Sequence, residues 1–182
     1  MTQKESCIVC RIIDGNIPSK KIYEDEMIMA VLDINGSNPG HCFIFPKNHY
    51  PIIEQVPEKE IISMFLLTNR ISVILFESLN YHGTNIFVAN GVPAGQTVAH
   101  FMINVIPRKQ NDGVNLQWTP KQFDEEEMST VELKLKEQIE KIGLQKSEAP
   151  SHSAKKEFQT ASIPKVSGKD SSSFMRQITR LP

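Results

Sequence analysis

The sequence predicts an α+β domain built on an antiparallel sheet. Three observations point there. Segments of strand character lie both before and after one long helical stretch, so the order is strands, helix, strands. In the last of them, His100 to Pro107, apolar Phe101, Ile103 and Val105 alternate with His100, Met102 and Asn104, the period-two pattern of a half-buried strand. Between Pro57 and Leu79, Ile61, Phe65, Ile71, Ile74 and Leu75 recur near helical spacing.

Taken in order, two β-like runs, Lys21 to Glu24 and Met27 to Leu32, precede Asn35-Gly36-Ser37-Asn38-Pro39-Gly40, whose residue types are those of a loop or turn. A third run, His41 to Pro46, follows. Pro57 suits the first turn of the long helix, where its missing N–H goes unused. Asn85 to Ala89 reads as another strand and Gly91 to Gly95 as a loop. Acidic Asp124-Glu125-Glu126-Glu127 and the later Lys134, Lys136 and Lys141 place charge as a helix dipole prefers, so a last helix is expected from about Lys121 to Ile142. The domain is expected to span residues 1–145. Beyond it the composition shifts to Ser, Lys, Pro and Gly, which bury too little surface to offset ordering entropy, so residues 146–182 are expected to be a disordered tail. Two apolar islands interrupt it, Phe158 to Ile163 and Phe174 to Leu181. In the second, Phe174, Ile178 and Leu181 have the i, i+4, i+7 spacing of a helix that docks a protein partner in a groove; a tail whose apolar residues do nothing accounts for them equally well.

The 20 basic and 21 acidic side chains leave a formal net charge of -1, which selects no polyanion and argues against a nucleic-acid partner. No apolar run approaches the roughly 18 residues of a membrane helix, and Met1 to Ser6 has no signal-like apolar core, so a cytoplasmic protein without a membrane partner is expected. Of the three cysteines, Cys7-Ile8-Val9-Cys10 holds two, which argues against a disulfide framework and for a metal or redox pair. Cys42 reads as a small buried hydrophobe. His82, beside Gly83, reads as a loop residue and His152 as a tail residue. There is no internal repeat, no phosphate-cradling Gly-rich loop after a strand and no Ser/His/Asp arrangement.

Five blocks occur in a telling order: Cys7 to Pro18, Asp33-Ile34-Asn35, Pro39-Gly40-His41, Phe45-Pro46-Lys47-Asn48-His49, and Ala94-Gly95-Gln96-Thr97-Val98 leading into the His100 strand. Together they resemble the histidine-triad family of nucleotide-binding proteins, in its branch with an N-terminal zinc site, over roughly Cys7 to Trp118. The resemblance implies a two-layer domain: an antiparallel sheet of about five strands, one long helix, a short N-terminal helix and a C-terminal helix, assembled as a homodimer. Carried over residue by residue, it implies Zn2+ held by Cys7, Cys10, His49 and His100, a closed Cys2His2 set of the structural kind. A thioredoxin-like redox pair would follow a strand in a βαβ pattern, and Cys7-x-x-Cys10 does not; a metal-free reduced pair is the remaining alternative.

The second triad histidine is the family's nucleophile, which attacks the α-phosphate to form a nucleotidyl-imidazole. Met102 stands in its place. A thioether has no proton to give, and its attack on phosphorus would leave a sulfonium. The third histidine is replaced by Asn104, which can hydrogen-bond but cannot shuttle a proton at neutral pH. Ala89 stands where family members commonly carry an amide near the phosphate, eleven residues before the first triad histidine. Asp33 matches the family's ribose-binding carboxylate, Ile12, Ile13 and Ile34 its base pocket, and Gly95 and Thr97 its phosphate contacts. On residue type alone, Asp33 is a turn residue bonding its own backbone and the isoleucines are core.

These residues imply a zinc-stabilised, catalytically inactive or impaired member that retains purine-nucleotide binding in a regulatory or adaptor role. One alternative is a dimeric scaffold that binds no nucleotide and recruits a partner through its tail. Another is a nucleotide hydrolase or transferase with a relocated nucleophile, for which His41 and Cys42 are the neighbouring candidates. Adjacent strand residues point to opposite faces, so at most one of them reaches the pocket.

Overall fold

The computed structural model describes residues 3–142; the expected disordered tail, its 174–181 segment and His152 lie outside them. The chain divides into two compact units, one ending at Thr119 and the other beginning at Pro120. In the first, α1 (Gln3–Ser6) and α2 (Ile8–Ile13) lead to β1 (Lys21–Glu24), β2 (Ile28–Leu32), β3 (Cys42–Pro46), α3 (Glu58–Leu79), β4 (Gly83–Phe87) and β5 (Ile103–Arg108). The strands form one sheet in the order β1-β2-β3-β5-β4, with every neighbouring pair antiparallel. The second unit contains α4 (Glu125–Ile142).

Where observed boundaries differ from the expected ones, a local hydrogen bond gives the reason. Met27 precedes β2 because its N–H and that of Ile28 both donate to Asp25 Oδ1, at 2.7 and 2.8 Å, and close a turn there. His41 precedes β3 because its N–H donates to Asn38 O at 2.9 Å and closes the loop. His100 lies outside β5: its N–H turns back to Val98 O, and the next N–H, of Phe101, reaches Tyr50 O at 2.6 Å. The strand expected over Asn85 to Ala89 runs instead over Gly83–Phe87, paired with β5 from Gly83↔Arg108 to Phe87↔Asn104. α4 starts four residues later than expected, because Asp124 Oδ1 accepts the Glu127 N–H at 2.7 Å and caps it. α3 matches its periodicity, entered through Pro57 and stopped by Asn80 in the left-handed region at φ 57°.

The pleat sorts the sheet into two faces. Ile28 and Ala30 of β2, Cys42 and Ile44 of β3 and Ile103 and Val105 of β5 face α3, where they pack with Met64, Leu67, Ile71 and Leu75. Met29 and Val31 of β2 and Phe45 of β3 face the other way and form a second cluster with Cys7, Val9 and Cys10 around α2. Phe43 and Met102 pack against this second cluster.

α3 also corrects one expectation. At 22 residues with mean hydropathy 1.5 it is long and apolar enough, by length and composition, to cross a membrane. Its Met64, Leu67, Ile71 and Leu75 are buried in the core, whereas Ile62, Phe65, Leu66, Val73 and Phe76 are exposed.

Phe45 is 1% exposed and its ring meets that of His100 edge-on at 5.9 Å. Phe45→Ala is expected to lower unfolding stability by about 3–5 kcal/mol in urea titrations, through lost burial and the cavity left behind. A loss under about 1 kcal/mol would mean that this second cluster is not part of the cooperative core.

Candidate functional site

Two features share the face of the sheet that α3 does not cover. The first is a cluster at the N-terminal end. Cys7 and Cys10 belong to the turn and helix around α2, His49 to the segment after β3, and His100 to the approach to β5. The structure brings all four together, their ligand atoms within 4.8 Å of one another. His100 Nδ1 lies 3.5 Å from Cys7 Sγ and 3.6 Å from Cys10 Sγ, and His49 Nδ1 lies 3.3 Å from Cys10 Sγ. In a tetrahedron with metal–sulfur bonds of about 2.3 Å and metal–nitrogen bonds of about 2.0 Å, neighbouring ligand atoms stand about 3.5 Å apart. The three sulfur–nitrogen edges above have about that length, and all four ligand atoms lie within 4.8 Å of one another.

The surroundings fit a metal as well. His100 is fully buried and its Nε2–H donates to Pro46 O at 2.9 Å, which fixes the tautomer and leaves the Nδ1 lone pair facing the sulfurs. Burial, with His49 adding to it, pushes the ring down to about 4, so the imidazole is neutral as a ligand must be. Burial and then Cys7 push the Cys10 thiol up to about 11, so filling the site with a cation would release protons. The neighbours of His49 in sequence are anchored: Asn48 Nδ2 and Tyr50 O–H donate to Oε1 of buried Glu60 at 3.5 and 3.2 Å. Four protein donors close the coordination shell, so a zinc ion there would join α2, the β3 exit and the β5 approach without an open position for substrate.

The second feature is a cavity of about 440 Å³ beside this cluster. One wall is Ile8 and Ile12 of α2 with Ile17; the sheet contributes Phe43, Phe45, Phe87 and Asn104; the loops and the approach to β5 contribute Asp33, Ile34, His41, Ala89, Gly95, Thr97 and Met102. Of the isoleucines that the resemblance assigns to a base pocket, Ile12 and Ile34 line the cavity, Ile34 as a lip 84% exposed, whereas Ile13 packs against the second cluster. Asn104 stands between two aromatic residues, opposite Phe43 on β3 and Phe87 on β4.

Asp33 has two oxygens with different fates. Oδ1 accepts the Asn35 N–H at 2.9 Å in a local turn. Oδ2 lies 3.6 Å from His41 Nδ1, but that nitrogen already accepts the Ser37 N–H at 3.1 Å, so its lone pair is taken and the contact is not an ion pair. His41 is then the Nε2–H tautomer, its proton directed to Asn104 Oδ1 at 3.4 Å. Gly36 makes this loop feasible, since a Cβ there would sit 2.7 Å from the Cβ of His41. Cys42, the neighbour of His41, is fully buried on the α3 side, and burial raises its thiol to about 12.

Several residues carry the site without having announced themselves. Gln96 staples the Gly91–Val98 loop: its Oε1 accepts the Gly91 N–H at 2.7 Å, and its Nε2 donates to Pro51 O and Val98 O at 2.7 and 2.8 Å. Phe43, Phe45 and Phe87 form the cavity's aromatic part; strict alternation with Cys42 and Ile44 was the available signal for the first two.

The HIT domain family matches residues 14–111, more than half of the chain. The chain belongs to the HIT family. An uncharacterized HIT-like protein of Methanocaldococcus jannaschii is 42% identical over 107 residues, 59% of this chain and 82% of that one. A protein of Arabidopsis thaliana named adenylylsulfatase HINT3 is 38% identical over 111 residues, 61% of this chain and 56% of its own length. The crystal structure of a Zn-bound histidine triad family protein from Mycobacterium smegmatis superposes with a TM-score of 0.59 at 31% identity, covering 76% of this HIT chain and 99% of that one.

Stripping metal from the full-length protein with a strong chelator is expected to lower its Tm by roughly 10 °C or more, with recovery on adding one equivalent of zinc. An unchanged Tm would show that the Cys7, Cys10, His49 and His100 cluster is not a structural metal site.

Proposed function

We propose that this HIT protein is a zinc-stabilised member that has given up nucleotidyl transfer and kept a purine-nucleotide pocket, acting as a regulatory or adaptor protein. The observation that carries the reading is the set of groups at the cavity wall. A covalent route through histidine needs an imidazole with a free lone pair facing the ligand and a donor for the leaving group. Met102 supplies neither. His100 has one nitrogen on Pro46 O and the other towards Cys7 and Cys10. His41 has Nδ1 occupied by Ser37 and its Nε2 proton directed to Asn104. Cys42, buried on the α3 side, is out of reach. The relatives support the nucleotide half of the reading, since the Arabidopsis protein's name specifies an adenylyl substrate.

The pocket residues take the roles that the family frame suggests. Asp33 Oδ2 accepts from the ribose hydroxyls, Ile12 and Ile34 flank the base with Ile13 behind them, and Gly95 and Thr97 border the phosphate end. Zn2+ at the Cys2His2 cluster holds α2 as a wall of the cavity.

The protein is further proposed to be a homodimer. β4 is an edge strand with exposed Ile86 and Phe87, and the outer face of α3 exposes Ile62, Phe65, Leu66, Val73 and Phe76. An open strand edge and an apolar helix face in one unit are surfaces that a second copy would cover. The scaffold reading draws on the same surface and on α4, where Met128, Val131, Leu135, Ile139 and Ile142 are exposed at helical spacing.

Zinc-replete full-length protein is expected to show no turnover of adenosine 5′-phosphoramidate above buffer, and saturable AMP binding by calorimetry that Asp33→Ala abolishes. Sustained turnover would overturn the inactive assignment; AMP binding that survives Asp33→Ala would remove Asp33 from the pocket. Sedimentation at micromolar concentration is expected to give twice the chain mass, and Phe65→Glu together with Leu66→Glu to give the monomer. A wild-type monomer would leave the exposed α3 face to another partner.

A further inference from the structure

We infer that the cavity selects an uncharged purine nucleoside over the corresponding 5′-phosphate, a preference that rests on the nucleotide-pocket reading above and narrows its ligand. The basis is the charge inventory of the wall. Among the described residues the cavity is lined by one carboxylate, that of Asp33, and by no lysine or arginine. Its imidazole, His41, has both nitrogens engaged within the protein, Nδ1 with the Ser37 N–H and Nε2 with Asn104 Oδ1, so neither is turned to an incoming ligand. The Asn104 amide is itself engaged, its Nδ2 directed to Phe87 O at 3.4 Å.

A nucleoside finds partners for each of its parts. Asp33 Oδ2 is free of protein donors and can accept from a diol, and the isoleucines and phenylalanines offer an apolar slot for a planar base. A phosphate dianion finds the opposite. Entering the cavity strips part of its hydration, no lysine or arginine of the wall replaces it, and the Asp33 carboxylate adds like charge to the same cavity. Gly95 and Thr97 can offer neutral N–H and O–H donors, which are weaker partners for an anion than a fixed positive charge. Met102, Ala89, Phe43 and Phe87 add apolar wall, and the further polar residues there, Ser19, Asn35 and Gln96, are neutral.

The test is calorimetry of zinc-replete full-length protein with adenosine and, separately, with AMP, at one moderate ionic strength, repeated on Ala89→Lys. Adenosine is expected to bind at least tenfold more tightly than AMP. Ala89→Lys places a cation on the wall and is expected to shrink that ratio tenfold or more by strengthening AMP. AMP binding as tightly as adenosine in the wild-type protein overturns the inference while leaving the nucleotide-pocket reading intact. Binding of neither overturns both. A ratio unmoved by Ala89→Lys, with both ligands still bound, shows that missing positive charge is not the cause and also overturns it.

Discussion

The constraint on which the rest of the structure depends is the register of β3 against β5. Cys42 lies opposite Val105, Phe43 opposite Asn104 and Ile44 opposite Ile103. Because side chains alternate strictly along a strand, a slip of one residue would send Met102 and Asn104 under α3 and turn Ile103 and Val105 out to the cavity. The apolar set beneath α3 forbids the slip: Ile44, Ile103 and Val105 are all fully buried against Met64, Leu67 and Ile71. The identity of the cavity wall is thus a consequence of the core on its far side. His41, Phe43, Phe45, Met102 and Asn104 face one space because their neighbours in sequence have to face another.

The same face carries the metal-type cluster, and its position limits what the triad remnant can do. His100 precedes β5 by a short irregular segment, anchored by Phe101 N–H on Tyr50 O. The ring is packed edge-on against both Phe45 and His49, at 5.9 and 5.2 Å between centroids. With Nε2 bonded to Pro46 O and Nδ1 directed to the sulfurs, rotating it towards the cavity would break two sets of contacts in a dry interior. The imidazole that survives in the triad therefore belongs to architecture. The Cys2His2 cluster and Met102 occupy different positions along one face, so what fills one does not dictate what stands at the other.

Much of this was legible in the chain. Alternation of Phe101, Ile103 and Val105 with His100, Met102 and Asn104 gave the two faces correctly, and the spacing from Ile61 to Leu75 gave the long helix. What was not legible came from side chains that compete with regular structure or meet only in space. Asp25 and Asp124 move element boundaries by capturing backbone N–H groups, which propensity does not foresee. Phe43, Phe45 and Phe87 read as ordinary strand hydrophobes, and nothing local distinguishes an aromatic that lines a cavity from one that fills a core. The gathering of Cys7 and Cys10 with His49 and His100 joins residues up to 93 positions apart, so the ligand set was legible only through resemblance to a family. The outer face of α3 forms no unbroken apolar run, because polar residues interrupt it, while the composition of the helix as a whole is that of a membrane-length helix.

The loop from Asp33 to His41 is held by its own hydrogen bonds, whatever the cavity binds. Asp33 N–H donates to His41 O, Asn35 N–H to Asp33 Oδ1, and Ser37 N–H to His41 Nδ1. Asn38 then ties the loop to Pro107 O at 2.8 Å and to Asp112, whose carboxylate Arg108 clamps at 2.6 Å and holds well below the usual carboxylate range. Asp33 and His41 thus earn their places by shaping the loop, whatever occupies the cavity. Replacing an imidazole by the Met102 thioether touches none of these bonds, because Met102 packs against the α2 cluster from the opposite wall. The side chain at position 102 can change without loosening the loop, and the loop's own bonds use Asp33 Oδ1 while giving Oδ2 no donated hydrogen bond. On the proposed reading, a ligand with a diol uses that acceptor, and one that also brings negative charge meets a wall lined by no lysine or arginine.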